Sequence, residues 1–221
     1  MQRFVAIARE RSLAYITLPE GETCAVCRVP DYLKDSYPRG GYFSLGSPLG
    51  GRPRGAVFLN ADNYRAVTGG WVQLNAIHEC YPGHHAQFAK TAAGGMPLSF
   101  KVGTVASRAA PPSEGIAVRT ETLMQDVFDE PAFPLFVAHR RLHTAVRIWV
   151  DLILHHFCPP HAVDEAVALY VEQMRFPRTW RAGRCTRRSF PRGTLPPTAT
   201  ASPRSSGCRP RAALTTAASP S

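Results

Sequence analysis

Between positions 78 and 85 the chain reads His78-Glu79-Cys80-Tyr81-Pro82-Gly83-His84-His85, and this stretch restricts the fold more than any other. Three imidazoles and a carboxylate follow an apolar lead-in (Trp71, Val72, Leu74, Ala76, Ile77) that predicts a buried helix. Neutral histidine and ionised glutamate are the usual ligands and general base of a catalytic zinc site. In the common H-E-x-x-H arrangement the two histidines stand four residues apart, on one face of a regular helix. Here the second imidazole comes six or seven residues after His78. A straight helix turns ~100° and rises ~1.5 Å per residue, so His84 would occupy another face and His85 would lie roughly 10 Å along the axis. Zinc–nitrogen bonds are only about 2.0–2.1 Å long, so two ligands of one ion nearly touch. One ion can be shared only if the helix is broken or bulged between them.

Pro82 and Gly83 permit such a break. Proline removes an N–H and clashes with the preceding turn, and glycine accepts backbone angles closed to other residues. A plainer reading also fits the spacing: a helix ending at Tyr81, a Pro-Gly turn, and two surface histidines on the next helix. Spacing alone leaves both open.

At 221 residues the chain is long enough for a sizeable core, as one domain or two small ones. Its net charge of +10 suggests nucleic acid until the charges are placed. Nine arginines lie beyond residue 177, where there is no Asp, Glu or Lys, and the rest of the chain is nearly neutral. The tail has only Trp180 and Phe190 for base stacking, so a nucleic-acid partner is not expected. No stretch approaches the ~18 apolar residues of a membrane span, and no signal peptide opens the chain. Cys24 and Cys27 form a lone C-x-x-C, without the further Cys or His pair of a zinc finger. They sit in a run that reads as a strand ending at Pro30, so they are read as core cysteines and not as a redox motif.

Residues 1–13 have helical apolar spacing at Phe4, Val5, Ala8 and Leu13. From 15 to 60 the signals are short and β-like, separated by Pro and Gly clusters, and predict a small antiparallel sheet. Helical pattern resumes near Gly70 and continues over 86–93 and 114–128. The longest helix is expected from Pro134 to Phe157, with a core stripe of Leu135, Ala138, Leu142, Ala145, Trp149, Leu152 and His156. A polar row (His139, His143, Arg147, Asp151, His155) runs along it at four-residue steps, as a solvated face or a cleft lining. A further helix is expected over 163–174. The fold class is α+β, mainly α.

Residues 178–221 change character: Arg, Pro, Ser, Thr and Ala dominate and apolar periodicity vanishes. Such a segment cannot offset its ordering entropy, and it reads as a disordered basic tail. The abrupt switch also suits translation of a GC-rich gene in a shifted frame, the account preferred here. Genomic sequence lacking an insertion or deletion near codon 178 would reject it. Residues 1–177 are then the folded part.

The residues now assembled resemble the bacterial domain of unknown function family 885, whose members look like gluzincin-type zinc metallopeptidases. Its signature is similar to His78-Glu79-x-Tyr81-Pro82-Gly83-His84-His85-x-Gln87. A Glu-Gly-Trp-Ala motif is approximated by Glu114-Gly115-Ile116-Ala117, with Glu121 a further family position. An Arg-x-x-x-Asp-x-x-x-His motif matches Arg147, Asp151 and His155, with no role assigned. Ile116 departs from the usual Trp, and Arg119 from a common aromatic. The resemblance implies a helical zinc-peptidase-like core, with Zn2+ held by His78, His84 and Glu114 and with Glu79 as general base. His84 is favoured over His85 by how its Gly-His aligns with related zinc peptidases. Glu114 also opens its helix, where a carboxylate is favoured without any metal. Cys80 places a soft thiol beside the site. Family members are much longer, so a truncated C-terminal portion is expected. The function implied is hydrolysis of a peptide substrate; the alternative is an inactive remnant or a metal-binding module without turnover.

Overall fold

The computed structural model describes residues 1–47, 51–63, 67–103 and 110–175. The Arg- and Pro-rich segment from 178 onward lies outside the described residues. The chain falls into two compact units, Met1–Leu142 and a second beginning at His143.

In the first unit, helix α1 (Gln2–Ser12) turns Val5 and Ala8 inward. Leu13, just past its end, is exposed. Strands β1 (Thr23–Arg28), β2 (Gly40–Ser44) and β3 (Arg54–Leu59) form a sheet of order β1-β3-β2. β2 pairs antiparallel with β3, with Tyr42 opposite Val57. β1 pairs parallel with β3, with Val26 opposite Val57. The sheet is therefore mixed where a wholly antiparallel one was expected. The short segments flanked by turn residues predict strands but not their partners. The excursion through β2 returns the chain in the direction of β1, which parallel pairing requires. A mainly helical α+β fold results.

Helix α2 (Gly69–Asn75) opens with the Thr68 hydroxyl accepting from the Trp71 N–H at 3.3 Å, an ordinary N-cap. The chain then passes through one π-helical turn, Ala76–Cys80, into a short extended link and helix α3 (His84–Ala93). Helices α4 (Leu98–Gly103), α5 (Ala110–Leu123) and α6 (Phe133–Leu152) follow. The core gathers Val5, Ala8, Val57, Leu74, Ile77, Cys80, Tyr81, Phe128, Phe133 and Val137. Phe128 is central to it, meeting Phe4 edge-on at 5.2 Å and Phe133 at 5.0 Å. The turn that carries His78 is thus packed on its apolar side by α1, the sheet and α6.

The inward stripe of α6 differs from the one expected. Phe133, Val137, His143, Val146 and Val150 are buried, whereas Leu135 is 71% and Trp149 50% exposed. The helix carries two apolar rows of correct spacing, and periodicity alone does not decide which one a neighbour covers. In the second unit Val146 and Val150 cluster with Ala166 and Met174 of α7 (Ala162–Met174). No helix among the described residues is long and apolar enough to cross a membrane.

Candidate metal centre

The wrong spacing of His78 and His84 is corrected by the backbone between them. In the π turn the Tyr81 N–H reaches the Ala76 carbonyl at 3.2 Å, and the Gly83 N–H reaches the Ile77 carbonyl at 3.1 Å. Each π turn accommodates one residue more than an α turn, so positions that would diverge are drawn together. Tyr81 is extended, and the Tyr81–Pro82 peptide is cis. Gly83 then passes against the turn so closely that an added Cβ would lie 2.0 Å from the His78 carbonyl oxygen. Only glycine fits. The imidazoles of His78 and His84 end with centroids 4.9 Å apart and planes at 83°.

His78, Glu79 and His84 present ligand atoms within 4.8 Å of one another, a cluster that could hold a metal ion. A second carboxylate faces both imidazoles from α5. Glu114 Oε2 lies 3.3 Å from His78 Nε2, and its Oε1 lies 3.7 Å from His84 Nε2. The other ring nitrogen of each histidine already has a partner. His78 Nδ1 is 2.6 Å from Glu121 Oε1, and His84 Nδ1 is 3.3 Å from the Ser113 hydroxyl, which donates to Gln87 Oε1. The His84 ring also stacks on Phe88. Outer partners of this kind orient an imidazole and leave its Nε2 lone pair for a metal. The donor set fits a small divalent cation.

Burial favours the neutral form of His78, but Glu114 and Glu121 outweigh it and raise its pKa to about 9. The same contacts with His78 and His84 hold Glu114 well below the usual carboxylate range. His78 and Glu121 are buried, whereas the Glu114 side chain is 58% exposed.

His85 is turned away from this cluster. Its Nε2–H donates to Glu22 Oε2 at 2.7 Å, and its Nδ1 lies 3.0 Å from the Tyr42 hydroxyl. The same Glu22 oxygen accepts from Tyr81 Oη at 2.6 Å, and Oε1 takes Arg9 Nε at 2.8 Å. Burial alone would raise Glu22, yet the Tyr81, His85 and Arg9 contacts bring it below its ordinary value. Burial pushes His85 down and Tyr42 and Tyr81 up. Gly55 makes room for this network, since a Cβ there would fall 2.3 Å from the Tyr42 hydroxyl. No local spacing links Arg9, Glu22, Tyr42 and Tyr81, so the sequence offers no signal for it. Glu121 had one: it follows Glu114 by seven residues, on the same face of α5.

Cys80 is completely buried and its thiol meets Cys24 of β1, with Sγ atoms 3.7 Å apart, rather than joining the donor cluster. That contact and burial push the Cys80 thiol well above its ordinary value. Arg147, Asp151 and His155 belong to the second unit, where His155 Nε2 lies 3.8 Å from Asp151 Oδ1 and both side chains are exposed.

Fold and site together define a mainly helical protein with a small mixed sheet and an interior histidine–glutamate cluster suited to a metal. The chain belongs to the family described as "Bacterial protein of unknown function (DUF885)", whose family model matches residues 1–188. The fold is similar to that in "The crystal structure of the putative lipoprotein from Colwellia psychrerythraea", with a TM-score of 0.66 and 22% sequence identity. That likeness covers 80% of this chain and 30% of the other, so this chain spans under a third of its structural relative. No curated protein matches it.

Proposed function

We propose that this chain carries the metal centre of a zinc-dependent peptide hydrolase. The observation that supports the reading is the convergence of two imidazole Nε2 atoms and one carboxylate while every remaining imidazole nitrogen is engaged elsewhere. His78, His84 and Glu114 would hold Zn2+, a three-ligand His₂Glu set that leaves one position open. Zinc in such a set supplies Lewis acidity toward a carbonyl and acidifies water to a pKa of about 7. Glu79 follows His78 in the same π turn, and its carboxylate lies within 4.8 Å of the ligand atoms of His78 and His84. It takes the proton from the attacking water and passes it to the departing amine as the C–N bond breaks. Glu114 is given the ligand role because its two oxygens face the two Nε2 atoms separately.

Zinc analysis of the purified full chain, with turnover of a peptide library, tests the reading. About one zinc per chain is expected, lost in His78→Ala and retained in Glu79→Gln. Glu79→Gln is expected to lower any cleavage about 10²–10⁴-fold, as loss of a general base does. Zinc lost in Glu79→Gln and kept in Glu114→Gln would exchange the two roles. A second reading, a metal-binding portion without turnover of its own, is favoured by the 30% coverage of the structural relative. Bound zinc with no Glu79-dependent cleavage would select it.

A further inference from the structure

Cys24 and Cys80 take no part in the donor set, yet their thiols touch across the core. They are 56 residues apart in sequence and their Sγ atoms are 3.7 Å apart. We propose that they are a disulfide-forming pair, closed by a small-molecule disulfide and tying β1 to the turn that carries His78 and Glu79.

Three observations support this pairing over one between Cys24 and Cys27. Cys24 packs against the core beside Val26, on the face of β1 turned toward Cys80. Cys27 lies three positions along the same strand, and successive strand side chains alternate between faces. Cys24 and Cys27 therefore point apart, and the C-x-x-C is not a bond-forming unit. The third is reach: a disulfide bond is about 2.05 Å long, so the sulfurs need approach by only about 1.7 Å, within what side-chain rotation and a small backbone shift provide.

Exposure sets the order of events. Cys24 is half-buried and Cys80 is wholly buried, so Cys24 meets the external reagent first. The Cys24 thiolate attacks one sulfur of oxidised glutathione, forming a mixed disulfide and releasing one glutathione thiolate. Cys80 sulfur then attacks Cys24 sulfur and expels the second glutathione, which carries away the Cys80 proton. Two protein thiols are oxidised, one glutathione disulfide is reduced to two thiols, and no other oxidant is needed.

Peptide mapping of the full chain after treatment with oxidised glutathione tests the proposal without any metal. A cross-linked peptide pair containing Cys24 and Cys80 is expected, absent after reduction. Cys27→Ser should leave that link intact. Cys80→Ser should trap glutathione on Cys24. If Cys80→Ser does not fold, Cys24→Ser serves, with no link and no glutathione on Cys80. The oxidised wild type should also unfold at a higher temperature than the reduced form, with no such rise in Cys24→Ser, because the bond closes a long loop. A stable glutathione adduct on wild-type Cys24, a Cys24–Cys27 link, or a lower unfolding temperature on oxidation would each overturn it.

Discussion

A methyl group added at Gly83 would fall 2.0 Å from the carbonyl oxygen of His78 and 2.3 Å from that of Ile77. Neither oxygen can yield without opening the turn that places His78. Gly83→Ala is therefore expected to lower stability by about 1–3 kcal/mol, the usual penalty of overpacking, and to reduce zinc bound per chain. Thermal unfolding and metal analysis read both effects. Glu121 is the complementary case: it touches His78 Nδ1, on the far side of the ring from the proposed metal position. Glu121→Gln should weaken zinc binding roughly 10–100-fold while leaving the stoichiometry at saturation unchanged. An unchanged affinity would mean that His78 needs no outer partner. Sulfur is excluded from the donor set by the Cys80–Cys24 contact. The zinc X-ray absorption spectrum should thus show only N and O neighbours, without a shell at about 2.3 Å.

At the scale of elements, the π turn explains how two imidazoles six residues apart come to lie side by side. The requirement was legible in the sequence, because Pro82 and Gly83 stand where a regular helix would separate His78 from His84. The choice between His84 and His85 was not legible from spacing. It depends on Glu22 and Tyr42, which reach His85 from distant loops and strands. The sheet shows the same limit, since β1 and β3 are recognisable as strands while their parallel pairing depends on topology. In α6 the apolar row at Leu135, Leu142 and Trp149 competes with the row at Phe133, Val137, Val146 and Val150, and only the latter is covered. Core truncation should follow the observed row. Val137→Ala is expected to cost about 1–3 kcal/mol in denaturant unfolding, and Leu135→Ala close to nothing.

For the whole molecule, the Arg9–Glu22–Tyr81–His85 network joins α1, the loop before β1, and the start of α3. Glu22 is buried and its folded pKa is depressed, so the folded state binds its proton less readily than the unfolded chain does. Its contribution to stability is complete above the unfolded carboxylate pKa of about 4.3 and is lost as pH falls through the lower folded value. His85, whose folded pKa is also lowered, adds with the same sign below about 6.5. His78, whose folded pKa is raised, acts in the opposite sense only above about 6.5, so denaturant midpoints should fall from about pH 6 to below pH 4. Glu22→Gln should be less stable at neutral pH and lose the steepest, acid part of that dependence. An equally steep acid limb in the variant would assign the effect to other carboxylates.

The proposed site requires His78 and His84 to serve one ion despite their spacing. Zinc content of the dialysed full chain, measured for wild type, His84→Ala and His85→Ala side by side, addresses this most directly. On the proposed assignment, about one zinc per chain is expected in wild type and none in His84→Ala. Folded His85→Ala should retain the metal, since both of its ring nitrogens are engaged away from the cluster. Zinc kept by His84→Ala, or a wild type that binds none, would contradict it.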